Sequence, residues 1–438
     1  MSVKRNIAFN YFGSGFLALA PLLALPWYIA ALGPKLWGLV AFVTLLQGVL
    51  GLLDAGMSQA LTREIALRVN GSESGRRRAA ALLSGFERIY WAFAIAAALI
   101  VATLAEVLAS AWLNLAGLPE SSGRLAIYGA AALFAAQFPG SIYRSVLSGA
   151  QAQVTLNLLI VAGALLRHGG GVAIVWVWPS LSAYLGWQVA VALLETLARG
   201  VLAWRCVGGR RGIPGWDAAE MRQVLALVLQ LTGAVFMGAL AVQMDKIVLS
   251  RMLEVELFGY YAIASSLALG LLQFIHPVFN ATLPRVVQLR ESPQALRGFN
   301  LKVAGLVGLL ILAAAAAYLL AGRALLDAWL RNPALAAAVY LPLSILLAGT
   351  GLNALYNIGY TNWLAKGKTG RILAVNAVTL VLSIALLPTL VVWQGMAGAA
   401  FGWVLINGIG LLASLGWLGS GRSEDARRQT QTEIGLKA

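Results

Sequence analysis

Long apolar stretches recur along almost the whole chain, each followed by a short polar connector. One of them, AFAIAAALIVATLAEVLASAWL after Trp91, is unbroken and rich in alanine and leucine, which favour helices. It lacks the alternation of polar and apolar residues that a membrane barrel strand requires, so a β-barrel is excluded. Since about 20 apolar residues span a hydrocarbon core about 30 Å thick, each stretch predicts one transmembrane helix.

The hydropathy pattern predicts about twelve spans, and therefore an all-α polytopic membrane protein. The predicted spans cover residues 7–31, 37–61, 80–112, 124–146, 153–178, 181–203, 222–250, 258–283, 299–321, 335–358, 371–392 and 397–419. The first begins after Lys4 and Arg5 and is too long for the apolar core of a cleaved signal peptide. It is therefore predicted to be an uncleaved span.

Composition agrees with a protein whose solvent is mostly lipid. Of the 438 residues, 60% are hydrophobic and only 11% are charged, and the mean hydropathy is +0.79. So few polar residues cannot cover a water-soluble globule of this size, which excludes a soluble enzyme. The single Cys206 cannot form an internal disulfide, and two histidines, His168 and His276, are too few for a metal cluster. No metal or cofactor is predicted.

Positive charges are divided unevenly among the connectors. One alternate set is rich in lysine and arginine and contains Lys4, Arg5, Arg63, Arg68, Arg76 to Arg78, Arg205, Arg210, Arg211, Arg285, Arg290, Arg297, Lys366, Lys368, Arg371, Arg422, Arg427 and Arg428. The other set contains only Lys35, Arg124, Arg251, Arg323 and Arg331. By the positive-inside rule, both termini are predicted to be cytoplasmic. The net charge of +15 thus reflects membrane topology, and nucleic acid is not an expected partner.

The chain also contains an internal repeat. The segment LGPKLWGLVAF from Leu32 aligns with LEVELFGYYAI from Leu253, and the alignment matches Gly38 with Gly259. Each copy joins the first and second spans of one half. Six spans per half give both halves the same orientation, so the pseudo-two-fold axis is predicted to run along the membrane normal.

The repeat divides the chain into two six-helix lobes. The predicted boundaries are residues 1–204 for the N-terminal lobe, 205–222 for a cytoplasmic linker, 223–419 for the C-terminal lobe and 420–438 for a cytoplasmic tail. Two parallel repeats with short connectors favour a transporter, because rocking of two rigid lobes exposes a site to either side in turn. The alternative is duplication for stability alone.

Ionisable residues inside a span are costly in lipid, so each is a candidate functional residue. The cationic candidates, from the cytoplasm outward, are Arg88 and Arg144, then Arg167, then Lys246. They predict a cationic track and an anionic, phosphate-bearing substrate, because arginine forks match phosphate oxygens. The alternatives are that Arg88 snorkels to the cytoplasmic headgroups and that Arg144 and Arg199 are headgroup anchors.

Arg167 is the cationic candidate that is deepest in a span. It has apolar residues on both sides and is followed by His168 and by Gly169 to Gly171. The three glycines predict that the helix unwinds there and exposes backbone donors beside the arginine, as an anion site would require. The alternative is that the fifth span ends early and that RHGGG forms a re-entrant loop.

Three further ionisable groups are candidates for binding a coupling ion. Asp54, in the second span, is predicted to hold a proton or an arginine partner, and the alternative is a helix-packing hydrogen bond. Asp245 is adjacent to Lys246, and the two are predicted to form a local charge pair with partners on other helices. His276 precedes Pro277, which predicts a kink; it is a candidate titrating group, and the alternative is a packed neutral histidine.

Aromatic side chains near these positions are candidates for stacking on sugars, and the alternative is an interfacial aromatic belt. They are Tyr143, Trp176, Trp178, Trp187, Tyr356 and Tyr360.

Four segments carry a resemblance to a known family. They are LGPKLWGLVAF with LLDAGMSQALTREIA from Leu52, YRSVLSGAQAQ from Tyr143, and QMDKIVLSRMLEVELFGYYAIA from Gln243. With them the chain resembles, over nearly its whole length, the oligosaccharide flippases of O-antigen and exopolysaccharide assembly. Their superfamily includes the multidrug and toxic-compound exporters and the lipid II flippases, of which the latter are the poorer match because they have fourteen spans.

The resemblance implies two six-helix lobes around a central cavity, as in the multidrug and toxic-compound exporters, alternating between inward-facing and outward-facing states. The implied substrate is an undecaprenyl-pyrophosphate-linked oligosaccharide repeat unit, moved from the cytoplasmic to the periplasmic leaflet of a bacterial inner membrane. A polysaccharide polymerase complex is the implied partner.

The resemblance also suggests roles for individual residues. Arg88, Arg144, Arg167 and Lys246 would bind the pyrophosphate or acidic sugars, while Asp54, Glu195 or Asp245 would carry a coupling proton. A sodium gradient is the alternative to a proton gradient. A drug exporter is disfavoured by the cationic cavity, and a membrane polysaccharide polymerase or ligase is disfavoured because it needs a long periplasmic loop.

Overall fold

The computed structural model describes residues 3–54, 56–69, 72–209 and 236–419, with the side chains of 3–14 and 16–18 left out of the description. Within these ranges the chain is almost entirely helical and has no strand longer than an isolated bridge between Asn114 and Glu254. The predicted all-α fold class is confirmed.

The helices of the first half are α1 Val3–Leu32, α2 Pro34–Gly51, α3 Met57–Val69, α4 Glu73–Thr103, α5 Ala105–Val107, α6 Glu120–Gln137, α7 Gly140–Gly149, α8 Gln153–Ala164, α9 Gly171–Val177 and α10 Leu181–Cys206. A 3-10 turn at Leu52–Asp54 follows α2, and π-helical turns occupy Leu108–Trp112 and Leu165–Gly170. The second half contains α11 at residues 236–252, α12 Val255–Gln288, α13 Pro293–Leu330, α14 Pro333–Ala365, α15 Thr369–Ser414 and α16 Gly416–Gly419.

Nine helical segments among the described residues are long and apolar enough to cross a membrane, and Leu19–Leu32 is a shorter apolar segment in α1. The longest helix, α15, has 46 residues, which at 1.5 Å per residue is about 69 Å, twice the thickness of a hydrocarbon core. Its backbone leaves helical geometry at Gln394 and Gly395, where Gly395 has φ 54°. This kink separates the predicted eleventh and twelfth spans.

With that division, every predicted span has a helical counterpart in the described residues. The seventh is described only from residue 236, since 222–235 of its predicted range lie outside the described residues. Connectors on one side are very short: Gly33 alone joins α1 to α2, and Arg331 and Asn332 join α13 to α14. Pro34 and Pro333 each occupy a first helical position, where a missing N–H costs nothing.

Two compact units are present. The first comprises residues up to Gln243 together with Leu253–Gly259, and the second comprises Met244–Met252 and the residues from Tyr260 onward. Aromatic and aliphatic side chains of α4, α6 and α7 form the core of the first unit, while α12, α13 and α14 supply a core cluster in the second. Most of the predicted linker, 210–222, lies outside the described residues, so that boundary stays a prediction.

Glycines that the repeat aligns with each other are in contact. A Cβ added to Gly259 would lie 2.9 Å from the Cα of Gly38, and a Cβ added to Gly38 would overlap the Val255 carbonyl. Side chains at either position would therefore push α2 and the first turn of α12 apart. The two copies of the repeat keep glycine because their backbones meet in the first unit.

Candidate functional site

A cluster of three charged side chains, one buried and two partly buried, lies inside the first unit. The guanidinium of Arg167 donates to Oε1 of Glu195 at 3.2 Å, and that of Arg199, one turn along α10, donates to Oε2 at 2.8 Å. The side chains of Arg167, Glu195 and Arg199 are 19%, 13% and 6% exposed. We call these three residues the arginine–glutamate triad.

The triad lies near the middle of both helical spans that carry it. Arg167 is about 21 Å along the helix axis from Gln153 and about 15 Å from Val177, at 1.5 Å per residue. Glu195 is similarly about 21 Å from Leu181 and about 16 Å from Cys206. Two arginines and one glutamate leave one net positive charge in a part of the bilayer where charge is most costly.

Close approach of the helices brings the triad together. A Cβ added to Gly163 of α8 would overlap the Glu195 carboxylate, so a larger residue there would displace the carboxylate from its present position. On the opposite side, a Cβ added to Gly140 of α7 would lie 2.8 Å from Oγ1 of Thr196 and 3.5 Å from Nη1 of Arg199. The triad is thus enclosed by backbone where a larger residue would hold the helices apart.

Arg167 lies in a π-helical turn, Leu165–Gly170, between α8 and α9. The turn leaves carbonyl groups that accept from side chains: Leu166 from Trp187 at 2.9 Å, and Arg167 from Gln188 and Tyr28, each at 3.3 Å. The predicted unwinding is therefore wrong, as is the alternative re-entrant loop. The backbone stays helical because neighbouring side chains satisfy the carbonyls that the wider turn releases.

The glycines after Arg167 serve packing. A Cβ on Gly170 would overlap the indole of Trp187, and one on Gly171 would lie 2.5 Å from the Tyr28 hydroxyl. Gly169 has open space around its Cβ position. Two of the three glycines therefore make room for aromatic side chains of α1 and α10.

Gly170→Ala is expected to lower the thermal denaturation midpoint, since forcing an extra methyl against a packed ring costs about 1–3 kcal/mol. Gly169→Ala is the matched control, because nothing lies within 4 Å of its new Cβ. The control is expected to be at least as stable as wild type, because alanine favours helix over glycine by about 1 kcal/mol. Circular dichroism melts in detergent measure both. Equal midpoints for the two variants would contradict the packing role.

Asp54 ends the second span in a second polar cluster. Its carboxylate accepts hydrogen bonds from Ser58 at 2.6 Å and from Tyr90 at 2.5 Å, which is the helix-packing role that the sequence left open. Arg144 is exposed, and its assignment to the cationic track stays a prediction.

The adjacent residues Glu87 and Arg88 point to different faces of α4. Glu87 accepts hydrogen bonds from Tyr143 at 2.6 Å and from Trp204 at 3.2 Å. Arg88 is exposed, and at 100° per residue it lies opposite the buried face of α4 that holds Tyr90. Its assignment to a cationic track and its snorkelling alternative both stay predictions.

In the second unit, Asp245 accepts from the hydroxyl of Tyr261 at 2.7 Å and pairs with Lys246 at 3.2 Å. The ammonium of Lys246 is therefore neutralised in part by its own neighbour in the chain. His276 is exposed on α12, which contradicts a packed neutral histidine, and α12 continues through Pro277 as one helix.

The sequence analysis did not identify Arg199 as a partner of Glu195. Headgroup anchoring was the alternative given for Arg199, whereas the residue is buried and bound to Glu195. The spacing of four residues between Glu195 and Arg199 was the available signal, because such pairs face each other on a helix. The link between Glu195 and Arg167, 28 residues apart, has no sequence signature.

Comparison with known proteins gives a consistent family. The profile of the family described as "Polysaccharide biosynthesis protein" matches residues 3–290. A Shigella flexneri protein named "Putative O-antigen transporter" is 21% identical over 405 residues, which cover 92% of this chain and 94% of the relative.

Solved structures share the fold. An inward-facing multidrug resistance MATE family transporter of the MOP superfamily matches with a TM-score of 0.68 at 15% identity, covering 94% of this chain and 96% of that one. The lipid II flippase MurJ, in an inward closed conformation, matches with a TM-score of 0.70 at 13% identity, covering 94% and 86%.

These relatives are transporters and a flippase by name, in agreement with the prediction of a transporter rather than an enzyme. The predicted two-lobe fold is the fold of the solved structures. Because the family profile covers more than half of the sequence, the chain belongs to the polysaccharide biosynthesis protein family.

Proposed function

We propose that the protein moves a polyprenyl-pyrophosphate-linked oligosaccharide from the cytoplasmic to the periplasmic leaflet of a bacterial inner membrane by alternating access. The observation that carries the proposal is the triad, which keeps net positive charge near the middle of two apolar spans. A buried charge of this kind is costly, so an anionic ligand that uses it gives a reason for its presence. The name of the Shigella flexneri relative supports a polysaccharide substrate.

The arginines suit a phosphate better than a cationic drug. Each guanidinium is planar and presents donors in a fork that matches two phosphate oxygens. Arg144 is exposed and so is available for a first contact, whereas Arg167 and Arg199 are held in place by Glu195. A cation entering this part of the first unit would meet like charges, which disfavours drug export.

Ion coupling follows from the same contacts. A proton or sodium ion bound by Glu195 would neutralise the carboxylate that both arginines use, raising the net charge of the triad from +1 to +2. The charge of the triad would therefore depend on whether the ion is bound, which is how an ion gradient would act on the affinity for an anion. Asp54, Asp245 and His276 are second candidates for the ion.

The orientation is part of the proposal. The connectors rich in arginine, including those with Arg76 to Arg78 and with Lys366 and Lys368, fall at one end of the alternating helices. By the positive-inside rule that end and both termini are cytoplasmic.

The test is a leaflet assay on wild-type protein reconstituted in liposomes. The probes are a fluorescent undecaprenyl-pyrophosphate-linked oligosaccharide and ethidium, a cationic drug, each with and without a proton or sodium gradient. Movement of the lipid-linked oligosaccharide alone is the expected result. Movement of ethidium alone would instead indicate a drug exporter, and movement of neither by folded protein would reject the proposal.

A further inference from the structure

A row of uncharged polar side chains runs along α14 in the second unit. Thr350, Asn353, Asn357 and Thr361 are spaced by three or four residues and so share one face of the helix. The helix has no aspartate, glutamate, lysine, arginine or histidine between Pro333 and Ala365. An uncharged polar row in a membrane span needs partners, either in neighbouring helices or in a ligand.

The amides of the row form a directed hydrogen-bond chain. Nδ2 of Asn357 donates to the carbonyl of Asn353 at 2.8 Å and to its Oδ1 at 3.0 Å. Asn353 in turn donates to Oδ1 of Asn407 at 2.6 Å, and Asn407 donates to the Trp403 carbonyl at 2.7 Å. This order fixes the orientation of every amide. It leaves Oδ1 of Asn357 without a donor among the residues that the structure describes.

A second amide pair on α14 shows what packing alone requires. Asn362 accepts from Asn300 of α13 at 3.1 Å and donates to the carbonyl of Ile358 at 2.8 Å, and both asparagine side chains are buried. Here one acceptor and one donor are used inside the protein. Asn357 differs because its side chain is half-buried and its Oδ1 accepts no hydrogen bond from the described residues.

Two tyrosines flank Asn357 in the chain. The rings of Tyr356 and Tyr360 have centroids 6.1 Å apart at 67°, and both side chains are partly exposed. The hydroxyl of Tyr356 is buried and has no hydrogen-bond partner in the described part of the chain. The Tyr356 hydroxyl and Oδ1 of Asn357, neither of which has a partner in the described residues, thus lie within two turns of α14 together with the rings of Tyr356 and Tyr360.

We propose that this part of α14 binds sugar hydroxyl groups of the substrate, with Asn357 accepting a hydrogen bond and Tyr360 offering its ring to a pyranose face. Neutral amides and aromatic rings suit a neutral ligand that has many hydroxyls and apolar C–H faces. This inference rests on the proposed function, because it assigns the glycan part of that substrate.

The position of Asn357 agrees with this role. It lies about 12 Å from the end of α14 at Ala365, which is the end that the positive-inside rule makes cytoplasmic. The sugars of a lipid-linked substrate begin their passage in the cytoplasm. The site would therefore contact the glycan early in its movement.

The test compares binding of two lipids to purified full-length protein in detergent. One probe is the lipid-linked oligosaccharide extracted from membranes of a strain that lacks this transporter, and the other is undecaprenyl pyrophosphate without sugar. Asn357→Ala is expected to weaken binding of the first about tenfold, as loss of one hydrogen bond predicts, and to leave binding of the second unchanged. Tyr360→Ala is a second variant with the same expectation.

Asn362→Ala is the matched control, since its amide serves the contact with Asn300. It is expected to lower the denaturation midpoint without changing the ratio of the two affinities. Equal weakening of both lipids by Asn357→Ala and Tyr360→Ala, or no change in either, would overturn the glycan site while the proposed function stands. Failure of wild type to bind either lipid would reject the proposed function and the site with it.

Discussion

Arg167→Ala is expected to reduce the rate of outward movement of the lipid-linked oligosaccharide about a hundredfold in the liposome assay. In our proposal the guanidinium makes two charge-assisted hydrogen bonds to phosphate, and the loss of about 3 kcal/mol corresponds to that factor. Arg167→Lys is expected to recover only part of the rate, because an ammonium keeps the charge but lacks the planar fork.

Arg323→Ala is the control for loss of one positive charge. Arg323 is exposed and pairs with Asp327 one turn along α13, a kind of ion pair that contributes about 0–1 kcal/mol. The Arg323→Ala protein is expected to move the lipid-linked oligosaccharide at a rate within about twofold of the wild-type rate. A folded Arg167→Ala protein that transports as fast as the Arg323→Ala protein would remove Arg167 from the proposed site.

Glu195→Ala is expected to destabilise the protein by about 3–5 kcal/mol, because it leaves two arginines in the middle of the membrane without a counter-charge. Both partners depend on this one carboxylate, through ion pairs of 3.2 Å with Arg167 and 2.8 Å with Arg199. Thermal denaturation in detergent, followed by fluorescence-detected gel filtration, measures the loss.

The double variant Glu195→Gln with Arg199→Gln separates charge from size. It removes one negative and one positive charge, so the net charge of the triad stays at +1, and two amides can bond to each other. It is expected to recover more than half of the stability that Glu195→Ala loses. A Glu195→Ala protein with a wild-type midpoint would show that the ion pairs are dispensable.

Hydropathy alone predicted the helices well, because every span must cross the same apolar layer as a helix. The predicted spans 80–112 and 181–203 are helical, apart from a turn at Leu104. The break predicted between the eleventh and twelfth spans is a kink at Gln394 and Gly395 inside α15, which runs on to Ser414.

Of the triad, the sequence named Arg167 and Glu195 as candidates but did not predict the contact between them. The sequence singled out Arg167 because apolar residues surround it, and this follows from the cost of charge in lipid. It could not show that Glu195 binds Arg167, since that contact depends on how α8 and α10 pack at Gly163. The sequence also could not show whether the glycines after Arg167 unwind the helix or make room for the side chains of Trp187 and Tyr28.

The π turn at Leu165–Gly170 changes the direction in which the later side chains of the fifth span point around the helix axis. Its hydrogen bonds reach one residue further than those of an α-helix, so residues after it are rotated by about 100° relative to an uninterrupted helix. The half before it presents Gly163 to α10, and the half after it presents Gly171 to Tyr28 of α1. Gly163 and Gly171 would be about 80° apart around a regular α-helix, and the extra residue of the π turn brings them to within about 20°, so both small residues lie on nearly the same face of the span.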